Sequence, residues 1–199
     1  MVGAADRVGS RSYALCDCTP PRLALLADPP LKGRDKKAQL LKHLMPLTRT
    51  AIVAEARSWI GTPYRHQASL KGVGCDCLGL VRGVWRELIG AEPERTPPYA
   101  PGWAEAASGE PLADAAARHL VAIAPSHPFP ASGGGLGWRP GDVLLFRWRA
   151  NLPAKHAAIV TAPDLMVHAH DGACVAEVAL APWWRRRLAY AFRFPGLQN

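Results

Sequence analysis

The spacing of apolar residues changes once along this chain, from a helical period before residue 90 to an alternating period after residue 143. Apolar residues three and four positions apart mark one face of a helix, whereas alternating ones mark a half-buried strand. Helices followed by strands, rather than interleaved with them, are typical of an α+β domain with an antiparallel sheet. We therefore predict an α+β fold for the chain after residue 48.

Two amphipathic helices are predicted in the first half of the chain. The first begins at Thr50 and stops at Gly61 and Pro63, because glycine and proline are typical of helix ends. The second begins at Cys77, and Asp76 is placed to cap it. The apolar faces of the two helices are predicted to consist of Ile52, Val53, Ala56, Trp59 and Ile60, and of Leu80, Val81, Val84, Trp85 and Leu88.

The second half of the chain is predicted to form the sheet. A third helix is expected over residues 112–124, and residues 125–140 are expected to form a loop. Short apolar or alternating segments bounded by turn residues then indicate strands. These segments span residues 143–148, 156–161, 165–170, 174–178 and 188–194.

Size and charge divide the chain unevenly. With 199 residues, 49% of them hydrophobic, it can bury one ordinary core. Residues 1–50 carry nine Lys and Arg against four Asp, and they show no sustained apolar period. We predict that residues 1–48 form a poorly ordered basic extension, or an artefact of a start site chosen upstream of Met45. Residues 49–199 are predicted to form one folded domain. Nucleic acid is not expected as a partner, because a basic segment of this kind is more often solvated.

Cysteine usage and hydropathy limit where the chain is expected to be made. The cysteines are odd in number and follow no disulfide framework, which favours reduced thiols. They stand at positions 16, 18, 75, 77 and 174. No segment approaches the ~20 apolar residues of a membrane span, and no secretory signal is recognised at the N-terminus. We therefore expect synthesis in the cytoplasm, with no membrane span.

Cys77 is the candidate nucleophile, because it stands at the start of a predicted helix. A helix N-terminus and a nearby imidazole are expected to lower a cysteine pKa and so to favour the reactive thiolate. If the second and third strands form a hairpin, an even register places His156, His168 and His170 on one face. Their spacing alone does not choose between His168 and His170 as the group that orients the base.

Less specific interpretations apply to the other polar residues and cysteines. A cysteine in an apolar segment is usually a small buried residue, which is how we interpret Cys75 and Cys174. Asp142 is predicted to serve the turn into its strand. We interpret the remaining histidines as surface or loop residues: His43, His66, His119 and His127.

A metal site is the main alternative for the cysteine and histidine cluster. Cys75, Cys77, His168 and His170 together offer four nominal ligands. Paired cysteine ligands of zinc are usually separated by two to four residues, whereas one residue separates this pair. We therefore predict no metal and no cofactor.

Four segments of the chain, in the same order, resemble the NlpC/P60 family of papain-like cysteine peptidases. Residues 59–64 are similar to the Gly-x-Pro-Tyr segment of the family, and residues 139–146 to its Pro-Gly-Asp strand entry. Residues 76–81 resemble its Asp-Cys-Ser-Gly-Leu-Val motif, although Leu78 replaces the serine. Residues 156–160 resemble its His-Val-Gly-Ile-Tyr strand, and a second His followed by Ala comes twelve residues later.

The resemblance implies a papain-like fold and a set of site residues. It implies that Cys77 is the nucleophile, that His156 is the general base, and that His168 rather than His170 orients the base. Tyr64 and Asp76 are implied to shape the substrate site beside the thiol. Residues 49–199 would accordingly be a catalytic domain.

The resemblance also implies a peptidoglycan endopeptidase that cuts stem peptides, with the bond between D-glutamate and the diamino acid favoured. The version of the motif around Cys77 looks most like the branch encoded in phages and gene transfer agents, so tail proteins are expected partners. Delivery to the cell wall inside a particle would agree with the expectation that the chain carries no secretory signal. The alternatives are a papain-like amidase or acyltransferase and a catalytically idle structural component of a tail.

Overall fold

The computed structural model describes residues 46–100, 102–103, 109–123 and 137–197. The predictions for the N-terminal extension and for most of the loop before residue 137 lie outside these residues. So do those for His43 and His127. Within the described residues, helices pack on an antiparallel sheet, and the predicted α+β class is confirmed.

The described residues form the following helices and strands, which we number in chain order. The helices are α1 (Arg49–Arg57), α2 (Cys77–Leu88), α3 (Pro111–His119) and α4 (Pro182–Arg185). The strands are β1 (Ser69–Leu70), β2 (Gly74–Cys75), β3 (Val121–Ala122), β4 (Val143–Phe146), β5 (His156–Ala162), β6 (Leu165–Ala169), β7 (Val175–Ala179) and β8 (Leu188–Arg193).

The larger sheet places the predicted histidine strands side by side. Its strand order is β3-β8-β4-β5-β6-β7, and each neighbouring pair is antiparallel. β5 and β6 form the expected hairpin, with Ile159 opposite Val167 and Val160 opposite Met166. β1 and β2 pair separately, immediately before α2.

Both faces of β4 and β5 are buried, and different elements cover the two faces. On one face, Ala157 and Ile159 join a core that includes Ile52 of α1 and Leu80 of α2. On the other face, Ala158 and Val160 pack in a second cluster with Met166, Leu180 and Trp184. Because side chains alternate along a strand, His156 belongs to the face of Ala158 and Val160, which Trp184 of α4 covers.

Several element boundaries differ from those predicted. The first helix ends at Arg57, and the side chain of Ile60 is 45% exposed rather than part of the buried face. The third helix ends at His119, because Leu120 turns to an extended conformation and residues 121–122 pair with β8. The prediction of helix through residue 124 is therefore wrong. α4 lies between the strands predicted over residues 174–178 and 188–194, where no helix was predicted.

Helix length also bears on the membrane prediction. Among the residues that the structure describes, no helix combines the length and the apolar character that crossing a bilayer requires.

Candidate active site

Asp76 fixes the start of α2 and thereby the position of Cys77. Its Oδ1 accepts a hydrogen bond of 2.7 Å from the Gly79 N–H, which is the N-cap interaction predicted from the sequence. The helix start also lies close to the segment before β1, since a Cβ atom on Gly79 would stand 1.9 Å from the Ala68 carbonyl oxygen. Only glycine permits this approach, so the first turn of α2 is held against its neighbour.

The second carboxylate oxygen of Asp76 organises the wall of the cleft beside Cys77. Asp76 Oδ2 accepts hydrogen bonds from the Gln67 N–H, at 2.7 Å, and from the Tyr99 hydroxyl. The Nδ1 atom of His66 lies 3.8 Å from the same oxygen, and its Nε2 atom lies 2.7 Å from the Tyr99 carbonyl oxygen. His66 is exposed and lies in a loop, as interpreted from the sequence, and it also belongs to this polar network around Asp76.

His156 and His168 form a buried pair on neighbouring strands. Nε2 of His156 lies 3.0 Å from Nδ1 of His168, and the two rings meet edge to face. His170 is exposed, its ring centroid is 5.7 Å from that of His168, and its Nδ1 lies 2.7 Å from the Asp171 carbonyl oxygen. The structure therefore brings His168, and not His170, into hydrogen-bond contact with His156.

The Cys77 thiol contacts the backbone on both sides of His156. The Sγ atom donates to the Lys155 carbonyl oxygen at 3.9 Å and accepts from the Ala157 N–H. The N–H groups of Leu78 and of Cys77 itself also point toward the sulfur. The start of α2 and the start of β5 are thus in direct contact at the thiol.

The surroundings of the Cys77 thiol and the His156 imidazole favour the uncharged form of each group. Burial raises the pKa of Cys77 to about 11, with a further contribution from the negative charge of Asp76, and the backbone N–H groups only partly oppose this. Burial lowers the pKa of His156 well below its usual value, and the neighbouring His168 and His170 act in the same direction. Burial also lowers the pKa of His168 to about 4. The N–H groups at the start of α2 lower the Cys77 pKa, as expected, but desolvation outweighs them and the net shift is upward.

Tyr64 lies on the rim of the same cleft. Its backbone N–H donates to the Ala173 carbonyl oxygen at 3.0 Å, which ties the segment after α1 to the loop before β7. Burial, with a smaller contribution from the charge of Asp171, raises the pKa of the Tyr64 phenol to about 12. The hydroxyl therefore stays protonated near neutral pH and can donate a hydrogen bond into the cleft.

The cleft encloses about 400 Å³, and an aromatic wall forms one side of it. We use this term for Trp148, Trp183 and Trp184, which all line the cleft. The ring centroids of Trp148 and Trp184 are 5.9 Å apart, and those of Trp183 and Trp184 are 4.8 Å apart. Sequence reasoning missed their position at the site. The adjacent tryptophans at 183 and 184 were the available signal, but nothing in their spacing points to His156.

Cys75 and the metal alternative can be judged on the same geometry. Cys75 is fully buried, and its thiol donates to the Asp76 carbonyl oxygen at 3.0 Å. Burial raises the pKa of this thiol, which opposes the thiolate that a metal requires. Within the described ranges, no three His, Cys, Asp or Glu side chains are grouped so that they could hold a metal ion.

The fold is similar to that of several solved NlpC/P60 structures. The NlpC/p60 domain of the peptidoglycan hydrolase SagA is 24% identical, with a TM-score of 0.50, over 74% of this chain and 100% of that domain. An NlpC/P60 family protein from Bacillus cereus ATCC 10987 is 18% identical, with a TM-score of 0.52, over 77% of this chain and 42% of its own. NlpC2 from Trichomonas vaginalis is 17% identical, with a TM-score of 0.52, over 77% of this chain and 49% of its own.

These likenesses establish the fold. The chain spans less than half the length of the Bacillus cereus and Trichomonas vaginalis proteins, and all of the SagA domain. A scan against protein-family models found no match, and neither did a search of curated proteins. The papain-like NlpC/P60 fold is thus shown by structure, at sequence identities below 25%.

Proposed function

We propose that this protein is a cysteine peptidase of the NlpC/P60 family that hydrolyses amide bonds in the stem peptides of peptidoglycan. One observation supports this above the others: the Cys77 thiol contacts the backbone on both sides of His156, and His156 is hydrogen-bonded to His168. The fold likeness to a domain of a peptidoglycan hydrolase supports the substrate class.

The chemistry proposed is a two-step acyl transfer through a thioester. The Cys77 sulfur attacks the amide carbonyl carbon while its proton passes to His156, and the C–N bond then breaks as His156 gives that proton to the leaving amine. In the second step a water molecule loses a proton to His156 and attacks the thioester carbonyl, and the C–S bond breaks as His156 returns that proton to the sulfur, which restores the thiol. The Cys77 N–H, at the positive end of α2, donates to the oxyanion in each step.

Each remaining site residue has a role consistent with its position. We propose that His168 orients His156 through their hydrogen bond, and that the protonated Tyr64 hydroxyl donates to substrate in the cleft. Asp76 also lines the cleft, but its two oxygens already accept from Gly79, Gln67 and Tyr99. We therefore propose that it shapes the substrate site through these contacts. The mechanism requires no metal or cofactor.

Two more specific proposals concern which peptide bond is cut and where the enzyme acts. We propose the bond between D-glutamate and the diamino acid as the scissile one, and association with a phage tail or gene transfer agent, which would carry the enzyme from the cytoplasm to the wall. The family resemblance of the four segments supports the bond, and the version of the motif over residues 75–86, with the Trp-rich end of the chain, supports the setting. Tail proteins are the partners that this setting implies.

An amidase or acyltransferase with an apolar acyl group is the second candidate, and one structural feature favours it. A mainly apolar cavity of about 520 Å³ shares Leu78, Tyr99, Trp103 and Leu112 with the cleft. Leu78 stands where the resembled motif has serine, and its apolar side chain lines both the cleft and this cavity. Hydrolysis of N-acyl amides, tested beside peptidoglycan, separates this candidate from the first.

The proposed function is tested by mass spectrometry of purified peptidoglycan incubated with protein in reducing buffer. Wild-type protein should create new peptide termini that identify the bond, and Cys77→Ala should lower the rate at least about a thousandfold because the nucleophile is lost. Cys75→Ala is the matched control, since that thiol is buried and donates to a backbone carbonyl. An unchanged rate in Cys77→Ala contradicts the proposal. A folded but inactive wild-type protein favours the structural tail component.

A further inference from the structure

The imidazole of His156 is stacked against two indole rings of the aromatic wall. The Trp148 ring centroid is 5.5 Å from that of His156 with 29° between the planes, and the Trp184 centroid is 5.4 Å away with 25° between the planes. Both arrangements are close to parallel, and His156 is buried. The plane of the imidazole is therefore set by neighbours that lie in a different part of the sequence.

Trp184 contacts both members of the histidine pair. Besides stacking on His156, it meets the His168 ring at 5.2 Å and 75°, and its own ring rests on Phe146 at 5.0 Å. A hydrogen bond between two imidazoles fixes one ring nitrogen of each but leaves rotation about the bond open. The stacked indole restricts that rotation, because the ring cannot turn without losing its contact.

The surroundings of His156 also make its protonated form costly without aromatic support. On β6 and just after it, His168 and His170 both oppose a positive charge on His156, and burial acts in the same direction. On α2, Cys77 is an uncharged thiol until it reacts, and Lys155 immediately precedes β5. The negative faces of the indole rings are therefore groups that can stabilise an imidazolium at this position.

The helix that carries Trp184 is anchored well enough to serve as a support. α4 begins with Pro182, which suits the first helical position, and Arg185 Nε donates to the Leu180 carbonyl oxygen at 2.8 Å. The Arg187 guanidinium lies 3.9 Å from the centroid of the Trp183 ring and closes the outer side of the wall. One turn of helix is thus held at both ends.

We propose that Trp184, together with Trp148, is a positioning residue for His156, holding the plane of its imidazole and stabilising the protonated form that arises during each turnover. The inference rests on the proposed function only where it refers to turnover. The stacking of the rings is a property of the resting protein and does not depend on that function. Trp184 lines the cleft, and the role proposed for it is exerted through His156, on which its ring stacks.

The first arm of the test is kinetic and compares Trp184→Leu with Trp184→Phe. Trp85→Leu is the matched control, because it removes a partly buried indole elsewhere in the fold. For Trp184→Leu we expect kcat to fall about tenfold or more with KM within about twofold, and the acid limb of the kcat/KM profile to move to lower pH. Trp184→Phe keeps an aromatic face, so its kcat and the pH of its acid limb should be close to those of wild-type protein. Trp85→Leu should leave the acid limb in place. An unmoved acid limb and unchanged kcat in folded Trp184→Leu would overturn the proposal.

The second arm does not depend on activity, so it separates this inference from the proposed function. Nitrogen NMR of the histidine rings, with the His156 signals assigned by their loss in His156→Gln, reports which ring nitrogen carries the proton. We expect a single tautomer of His156 in wild-type protein and in Trp85→Leu, and averaging between tautomers in Trp184→Leu. A single tautomer in Trp184→Leu contradicts the positioning role. If wild-type protein cleaves nothing but has a single His156 tautomer, and that tautomer is averaged in Trp184→Leu, the proposed function fails and the positioning inference stands.

Discussion

At the scale of single residues, burial has a larger effect than neighbouring charges on the pKa values of Cys77 and His156. The thiol sits at a helix N-terminus, which favours a thiolate, yet its pKa is raised to about 11 because it is desolvated beside Asp76. Sequence patterns predicted Cys77 at a capped helix start and His156 at the start of a strand, and the family resemblance implied that the two meet. The sequence was insufficient for the sign of the Cys77 pKa shift, which depends on how closely β5 covers the thiol. It was also insufficient for the stacking by Trp184, which lies 28 positions along the chain from His156.

The raised thiol pKa predicts slow alkylation of Cys77 in the free protein. Only the thiolate reacts with iodoacetamide, so between pH 7 and 9 the rate should rise about tenfold per pH unit without a plateau. The rate is measured by mass spectrometry of the peptide that contains Cys77. Asp76→Asn removes the adjacent charge and should raise the rate at each pH in protein that remains folded. A plateau that begins below pH 7 would instead show an ion pair between Cys77 and His156.

At the scale of elements, α2 packs closely against the turn that follows α1, and this contact positions the nucleophile helix. A Cβ atom on Gly83 of α2 would stand 2.0 Å from the Trp59 ring, which is 3% exposed. The helical period predicted α1 and α2 because each repeats its apolar face over two turns or more. It did not predict α4, which is four residues long, or the end of α3, because pairing of Val121 with Arg193 is a contact between distant segments. Periodicity is a local signal and carries no information about such pairing.

This packing predicts that Gly83→Ala destabilises the fold. The added methyl group forces the buried Trp59 ring to move, and overpacking of this kind typically lowers the free energy of unfolding by about 1–3 kcal/mol. Gly102→Ala is the control, because a Cβ atom there meets nothing within 4 Å. Urea denaturation of the two variants beside wild-type protein measures the difference. Equal stability of Gly83→Ala and Gly102→Ala would show that α1 and α2 can separate without cost.

At the scale of the whole molecule, buried charges connect the helical layer to the sheet. Asp142, fully buried before β4, accepts from the Arg139 N–H at 2.7 Å, which is the turn contact predicted from the Pro-Gly-Asp sequence. It also pairs with Arg49 of α1 at 2.9 Å, and Arg193 of β8 lies 3.6 Å away. The turn was predictable because its partners are three residues apart. The pairing with Arg49 was not, because 93 positions separate the partners.

The buried histidine pair predicts that the whole fold loses stability as the pH falls below about 6.5. In the unfolded chain both histidines take up protons near pH 6.5, whereas in the folded protein the His168 pKa is about 4 and that of His156 is also lowered. The unfolded state therefore binds more protons in this window, and the free energy of unfolding falls with pH by up to about 1.4 kcal/mol per pH unit for each histidine. Urea denaturation at pH 7, 6 and 5 measures this slope above the range where the carboxylates titrate. His168→Asn has an amide in place of one imidazole. It should show a shallower slope, because only one of the two histidines is left to take up a proton on unfolding. A slope unchanged in that variant would mean that His168 takes up its proton in the folded state as readily as in the unfolded one.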